Sequence, residues 1–379
     1  MTTLEFEQLL ADAGAPCISV IVPVHRITPH RDKEVGALVN AVNLAKNLLK
    51  NSNSNISCDE DSLIQKIDEI VENIDFVHTL NGIGIFVSPR VSKIINFPFN
   101  VIEKVKVGDV FESRDLLYYL NTIIDYTVIK ISRNHINVFS GKGEGLSEIN
   151  NEDFPLYYEE TYEYSKPTIG TSFGNSSLKG FERDKSELEE IRLMDFFRKA
   201  DQVLQKYINV QTPIIVAGGK KEIADYLKVT LFEKQIIGKV TGNYGNNGGL
   251  QLAKLSWKSV KDYLNSQNQI HLSNLRELFG KELVAVGIED VWKQANEGKG
   301  SELFLQKDYE CAAFISKDGY DLKLIRPLAK KKYIYTGDAV EKLISTVRKK
   351  SGKVVFLEDD ELKDFDNIAL QLRYNNNLA

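Results

Sequence analysis

Residues 284–373 constrain the fold of this chain more than any other stretch. They open VAVGIEDVWKQANEGKGSELFLQKDY, which reads as an apolar strand, a short helix and a Gly-Lys-Gly turn into a second strand. The spacing then predicts a helix over 338–350, a strand in SGKVVFL at 351–357 and a closing strand in IALQLRY at 368–374. Strand–helix–strand order of this kind implies a layered α/β domain whose helices cover a sheet. No catalytic triad or metal cluster is visible in it, so this stretch speaks to architecture and partners more than to chemistry.

At 379 residues the chain exceeds what one core usually organises, so two or three domains are expected. Its 42% hydrophobic and 27% charged content is that of an ordinary globular protein. The longest apolar runs, such as 17–24, are strand-length and too short to cross a bilayer. The opening MTTLEFEQLLADAG has no basic flank followed by an apolar stretch, which argues against a secretory signal and for a cytoplasmic protein without membrane association. Cys17, Cys58 and Cys311 are odd in number and scattered, as expected of reduced thiols and not of a disulfide framework or zinc ribbon. Net charge is −5, so any contact with nucleic acid must run through a local basic patch, because the overall field repels phosphate.

Three parts are predicted. Residues 1–122 form an N-terminal α/β domain built on the buried strand CISVIVPV, amphipathic helices over 34–50 and 63–74, and strands at 82–87, 91–97 and 102–107. Residues 123–238 carry strands at 126–131 and 136–139, a third near 146–149, a long polar segment over 150–183, a helix over 185–207 and the strand TPIIVAGG. A connection as long as 150–183 is usually functional or disordered. Residues 239–379 start with an Asn/Gly-dense bend and a helix over 250–264 that lead into the C-terminal module.

Chemical candidates are few. VAGGKK at a strand-to-helix junction could cradle a phosphate on backbone amides, but it lacks the G-x-x-x-x-G-K-[ST] spacing, and a plain turn is the simpler reading. GKGEG at 141–145 reads as a hairpin turn. The histidines are dispersed, with none of the i, i+4 pairing that puts two metal ligands on one helix face. No catalytic residue, metal site or cofactor is therefore assigned. Basic clusters remain: His25, Arg26, His30, Arg31 and Lys33 in one loop; Lys179, Arg183 and Lys185 beside the long middle segment; and Lys330, Lys331 and Lys332 before Tyr333 and Tyr335, rings able to stack on bases. Each cluster is equally readable as a solvated surface.

Taken in order, these segments resemble the class-I release factors of archaea and eukaryotes and the related Pelota proteins, and more closely their bacterial homologues, the baeRF family. IIGKVTGNYGNNGGLQLAKLS is similar to the Gly-rich bend and long helix that lead into the family's third domain, and VGIEDVWKQANEGKGSELFL to the start of its L7Ae-like domain. YTVIKISRNHINVF and PIIVAGG resemble its RNase H-like middle domain, and SVIVPVHR the N-terminal part of the bacterial branch. The resemblance implies a three-domain α/β protein with an RNase H-like middle and an L7Ae-like C-terminal domain. Its implied work is binding the ribosome or structured RNA in translation rescue, quality control or stress, with a possible protein partner at the C-terminal domain. Release factors of this family carry Gly-Gly-Gln in the loop before the middle-domain helix. The matching loop here reads GTSFGNSSLKGFERDK, with glycines at Gly170, Gly174 and Gly180 and no Gly-Gly-Gln. That chemistry needs two flexible glycines directly before glutamine, so its backbone amide can approach the reacting ester. Binding without peptidyl-tRNA hydrolysis is therefore expected. Two alternatives stay open: a hydrolase using residues 150–183 as a lid, and an acidic protein–protein adaptor.

Overall fold

The computed structural model describes residues 6, 14–24, 31–51, 60–74, 81–158, 176–209, 211–244, 248–327, 332–357 and 361–374, with the backbone alone for 31–34 and 176–187. By internal contacts the chain divides into two units, Met1–Thr122 with His271–Ala379, and Ile123–Ile270. The mixed α/β architecture expected from the sequence is present in both.

In the first unit, β1 (Cys17–Pro23) is buried along its length, with only Pro23 half-buried. It lies inside an antiparallel sheet of order β3-β2-β1-β4, with β2 (Gly82–Val87), β3 (Ser92–Phe97) and β4 (Lys104–Gly108). Side chains alternate across a strand, and here both faces are covered. Ile18, Val20 and Val22 pack with Leu38, Val42 and Leu49 of α1 (Arg31–Asn51) and with Leu63 and Ile67 of α2 (Glu60–Glu72). Cys17 and Ile21 enter a second core, shared with residues three hundred positions on, including Leu303, Leu305 and Leu343. Burial on both faces explains why this strand is an unbroken apolar run rather than an alternating one.

The C-terminal module contributes β11 (Val284–Val286), α7 (Ile288–Asn296), β12 (Gly300–Gln306), α8 (Val340–Lys349), β16 (Lys353–Leu357) and β17 (Ile368–Leu372). Its sheet runs β11-β17-β12-β16, with β12 and β16 parallel and the other pairs antiparallel. Leu303, Leu305 and Leu370 join Val291 and Trp292 of α7 and Leu343 and Ile344 of α8. Phe304, Ala369 and Leu357 face the other way, onto Leu272 and Leu275. A second sheet of order β14-β13-β15 is formed by β13 (Ala313–Ser316), β14 (Leu322–Lys323) and β15 (Tyr333–Thr336).

The second unit holds the sheet β10-β9-β5-β6-β7, with β8 (Leu156–Tyr157) added on β6. Strands β5 (Asp125–Ile131), β6 (His135–Lys142) and β7 (Gly145–Glu148) form an antiparallel meander, while β9 (Ile214–Gly218) and β10 (Ile236–Thr241) run parallel to β5. One face packs Ile129, Val138 and Val216 on Phe197, Ala200 and Leu204 of α4 (Ser176–Leu204) and on Ile223 and Tyr226 of α5 (Lys220–Leu227). The opposite face packs Tyr126, Val128 and Ile215 on Leu252, Trp257 and Val260 of α6 (Gly249–Phe279). The GKGEG segment is the expected hairpin, with Gly143 at φ +57° in its turn.

Two boundaries differ from expectation. Helix α6 runs on to Phe279, past residue 264; none of residues 265–271 is fully buried, so no apolar stripe marks the continuation in the sequence. Helix α4 begins at Ser176 rather than at residue 185, and its first turns (SSLKGFERDK) are too polar to show a helical period. Lys179, Gly180, Arg183 and Lys185 are thus on a helix, not in a loop.

Gly141 provides a local test. A Cβ there would collide with the buried Tyr126 ring, whose hydroxyl donates to Gly143 O at 3.0 Å. Gly141→Ala is expected to lower the stability of the second unit by about 1–3 kcal/mol through overpacking. Thermal unfolding followed by Trp257 fluorescence would show it, and an unchanged midpoint would contradict this packing.

Candidate functional site

The sequence candidates fall in three groups. His25, Arg26, His30, Gly170, Gly174, Lys330 and Lys331 lie outside the described residues. Arg31 and Lys33 are in the first turn of α1, and Lys179, Gly180, Arg183 and Lys185 are in the first three turns of α4. Lys332 is exposed, directly before β15.

The VAGGKK junction forms a strand-to-helix turn. Gly218 has φ +152°, and a Cβ on it would strike Ile131 O in the neighbouring strand. Gly219 caps α5 without a side-chain cap, and Glu222 fills the space above it, since a Cβ on Gly219 would meet the Glu222 carboxylate. Glu222 also pairs with Arg133 at 3.2 Å, and Lys221 with Glu190 at 3.0 Å. A carboxylate already occupies the end of the helix where a phosphate would bind, and the plain-turn reading accounts for every group present.

The start of the long middle segment is tied down. Leu156 and Tyr157 pair with Ile136 and His135 of β6, and Phe154 is fully buried. Asp153 accepts from the Tyr207 hydroxyl at 2.8 Å and from Lys206 at 3.1 Å, and the Tyr207 bond holds its carboxyl below the usual range. Further in, Asp201 is 1% exposed and accepts from the Tyr226 hydroxyl at 2.5 Å and from Leu231 N at 2.6 Å. Burial raises its pKa. This pair joins α4 to α5 beneath the surface, out of reach of a substrate.

A buried charge cluster was not visible in the sequence. Arg114, at the start of α3 (Arg114–Thr122), is fully buried; it pairs with Asp338 and lies 3.7 Å from Glu310. Beside it Ser113 donates to Glu341 Oε1 through its amide at 2.9 Å and its hydroxyl at 2.5 Å. Glu112 takes Lys106 at 3.2 Å, while Ser19 Oγ receives the Glu112 amide at 2.9 Å. Burial raises the Glu341 carboxyl, and the nearby Glu112 adds to this. Burial also works on Glu112, but Lys106, Lys104 and Arg114 outweigh it and hold that carboxyl low. Two acids side by side are thus driven in opposite directions, and Glu341 Oε2 has no hydrogen-bond partner among the described residues. Such separation can mark an acid/base site. Here Glu112, Ser113, Arg114 and Glu341 are all buried, which makes the cluster a joint between residues 112–115 and 338–341. The sequence signal was only an unremarkable ESRD.

A cleft of about 510 Å³ is lined by His271, Asn274, Ser301, Glu302, Lys353 and Arg373, among others. Gln371, Glu302 and Lys353 form one row across β17, β12 and β16. His271 Nδ1 is 3.9 Å from Glu302. Ser301 Oγ donates to Gln371 O at 3.1 Å, and the Arg373 guanidinium donates to Gly298 O and Lys350 O. Its hydroxyl and guanidinium are therefore already engaged, and no nucleophile sits on a base. Among the described residues no group of three or more His, Cys, Asp or Glu could hold a metal, and no helix is long and apolar enough to cross a membrane.

Among known proteins, residues 125–299, a little under half of the chain, match the model of the Bacterial archaeo-eukaryotic release factor family 3. The resemblance read from the sequence is to this family. No curated protein sequence matches the chain. Among solved structures, S. cerevisiae Dom34 is described as a translation termination-like factor involved in RNA quality control pathways and interacting with Hbs1. It is 12% identical, the match covering 98% of this chain and 92% of that one at a TM-score of 0.41. Ribosome-bound archaeal Pelota, described with ABCE1, is 16% identical over 77% of each chain at 0.39. The archaeal translation termination factor aRF1 is 14% identical over 98% and 96% at 0.25. Scores this low say nothing of overall arrangement, and the weight rests on the family match.

Two tests follow from the buried cluster. Arg114→Ala leaves Asp338 and Glu341 without their cation, and is expected to cost about 3–5 kcal/mol in urea denaturation of the full chain; a shift below a few tenths would contradict the burial. For Glu341, a folded pKa raised above the unfolded value gives stability that is present at low pH and lost as pH rises through the folded pKa. Glu341→Gln should therefore match the parent near pH 4 and exceed it at pH 8, by on the order of 1 kcal/mol. A difference in thermal midpoint that does not grow with pH would contradict this.

Proposed function

We propose that this chain is a release-factor-like, Pelota-like factor that binds the ribosome or structured RNA and does not hydrolyse peptidyl-tRNA. The observation that carries the reading is the family match over residues 125–299, which contains the loop where release factors hold Gly-Gly-Gln and this chain holds GTSFGNSSLKGFERDK. On this reading the middle domain is RNase H-like and the C-terminal domain L7Ae-like, within three domains at 1–122, 123–238 and 239–379. The tip that reaches the functional centre comprises Gly170, Gly174 and Gly180 with Lys179, Arg183 and Lys185. Helical backbone from Ser176 supports it, because Lys179 and Arg183 are then one turn apart at the end of α4 nearest the loop. The cluster His25, Arg26, His30, Arg31 and Lys33 is the second contact surface, and a protein partner docks on the C-terminal domain. A hydrolase reading has less support: the Ser132 hydroxyl, 3.0 Å from His135 Nδ1, is also bonded to the His135 backbone in the β5–β6 turn, and the Ser113 hydroxyl on Glu341 is buried.

Two measurements test this. Lys179→Glu, Arg183→Glu and Lys185→Glu together are expected to reduce co-sedimentation with ribosomes about tenfold or more, as loss of three phosphate contacts should; unchanged co-sedimentation would refute the tip assignment. Incubation of the parent protein with ribosome-bound peptidyl-tRNA should release no peptide above background, and release at the rate of a Gly-Gly-Gln factor would refute the second half of the proposal.

A further inference from the structure

We infer that the outer face of the sheet β14-β13-β15 is a binding platform for single-stranded RNA. Register places Lys323, Phe314 and Tyr335 in one row across the three strands, with Ser316 and Tyr333 in the next row on the same face. The opposite face sends Ala313, Ile315 and Leu322 into the core. One side of the sheet is therefore fixed by packing, and the other is presented to solvent. Phe314 and Tyr335 are neighbouring rings, their centroids 5.4 Å apart, and Tyr335 is 63% exposed. The Tyr333 hydroxyl donates to Asp321 at 2.6 Å, which holds that ring in place. Around the sheet Tyr320, Leu324 and Ile325 are also exposed, Ile325 at 84%.

Charge selects the occupant. Residues 313–336 carry six Lys or Arg against two Asp, in a chain whose net charge is −5. Lys317, Lys323, Arg326 and Lys332 are all exposed. Asp321 pairs with Lys323 at 3.6 Å and accepts from Tyr333, and Asp318 accepts from Ser316 and from Tyr320 N; with both acids charged, six cations less two anions still leave a local excess of four positive charges. An exposed Tyr335 ring beside the half-buried Phe314 and Tyr333 rings, rimmed by cations, suits an unpaired nucleic acid, because each base has a π-face to stack and each phosphate a charge to neutralise. A duplex keeps its bases stacked on one another and leaves the rings unused. An acidic polypeptide would satisfy the lysines and leave the rings without a flat partner. The inference rests on the translation reading only in preferring RNA to DNA.

The test is fluorescence anisotropy of a labelled twelve-residue oligouridylate titrated with the full chain, alongside ribosome co-sedimentation of the same preparations. Tyr335→Ala, at a site already open to solvent, should weaken oligonucleotide binding about tenfold, while Tyr335→Phe, which keeps the ring, should stay within about twofold of the parent. Lys323→Glu should weaken it as well. Equal binding by the parent and Tyr335→Ala overturns the inference, and so does competition by polyglutamate as effective as by unlabelled oligouridylate, which would assign the face to an acidic polypeptide. Parent protein that sediments with ribosomes but ignores the oligonucleotide overturns this inference and leaves the translation reading intact. Tyr335-dependent oligonucleotide binding without sedimentation supports the platform and counts against that reading.

Discussion

A fully buried guanidinium holds the first unit together. Arg114 lies 224 residues from Asp338 in the chain, yet the two pair inside the same core, next to Ser113 donating twice to Glu341. Taking a charge out of water costs several kcal/mol, so the arrangement survives only if its partners stay in place. That requirement fixes the start of α3 against the start of α8. The apolar core then follows: Cys17 and Ile21 of β1, Phe86 and Phe97 of the same sheet, and Leu303, Leu343 and Phe356 of the C-terminal module all belong to it. Residues 1–122 and 271–379 consequently form one unit despite the whole of the second unit lying between them in sequence.

How much of this could be read in advance depended on what burial left in the sequence. Strand β1 was legible because both faces are covered, which demands an unbroken apolar run. The C-terminal order β11, α7, β12, α8, β16, β17 was legible from periods and Gly turns. The sheet β14-β13-β15 was not, since its strands are only two to four residues long. Helix α3 was hidden because its first turn is polar, with Arg114 and Asp115 buried through pairing rather than hydrophobicity. The middle of α6, residues 265–271, was hidden for the opposite reason, having too little to bury to show a stripe. Distance in the chain concealed the Arg114–Asp338 joint entirely, as single-sequence patterns report only near neighbours.

The functional signal has a similar split. The match to the release-factor family model spans residues 125–299, and the lack of Gly-Gly-Gln in 170–185 was evident in the sequence itself. What the sequence left undivided were its basic clusters, each as compatible with solubility as with a phosphate. Geometry separates one of them. Lys332 precedes an exposed strand whose register sets Tyr335 beside Phe314 and Lys323, whereas Lys221 of the VAGGKK junction is engaged by Glu190. An aromatic face with a cationic rim is a more specific arrangement than a run of lysines alone.

On the proposed reading, an acidic protein binds the ribosome through local cationic surfaces. The most direct measurement of this is the salt dependence of co-sedimentation by the unaltered chain. Phosphate contacts displace counterions, so the logarithm of the binding constant should fall linearly with the logarithm of salt concentration, with a slope of several units between about 50 and 200 mM. Binding that is flat with salt, or no sedimentation at the lowest salt, would contradict it.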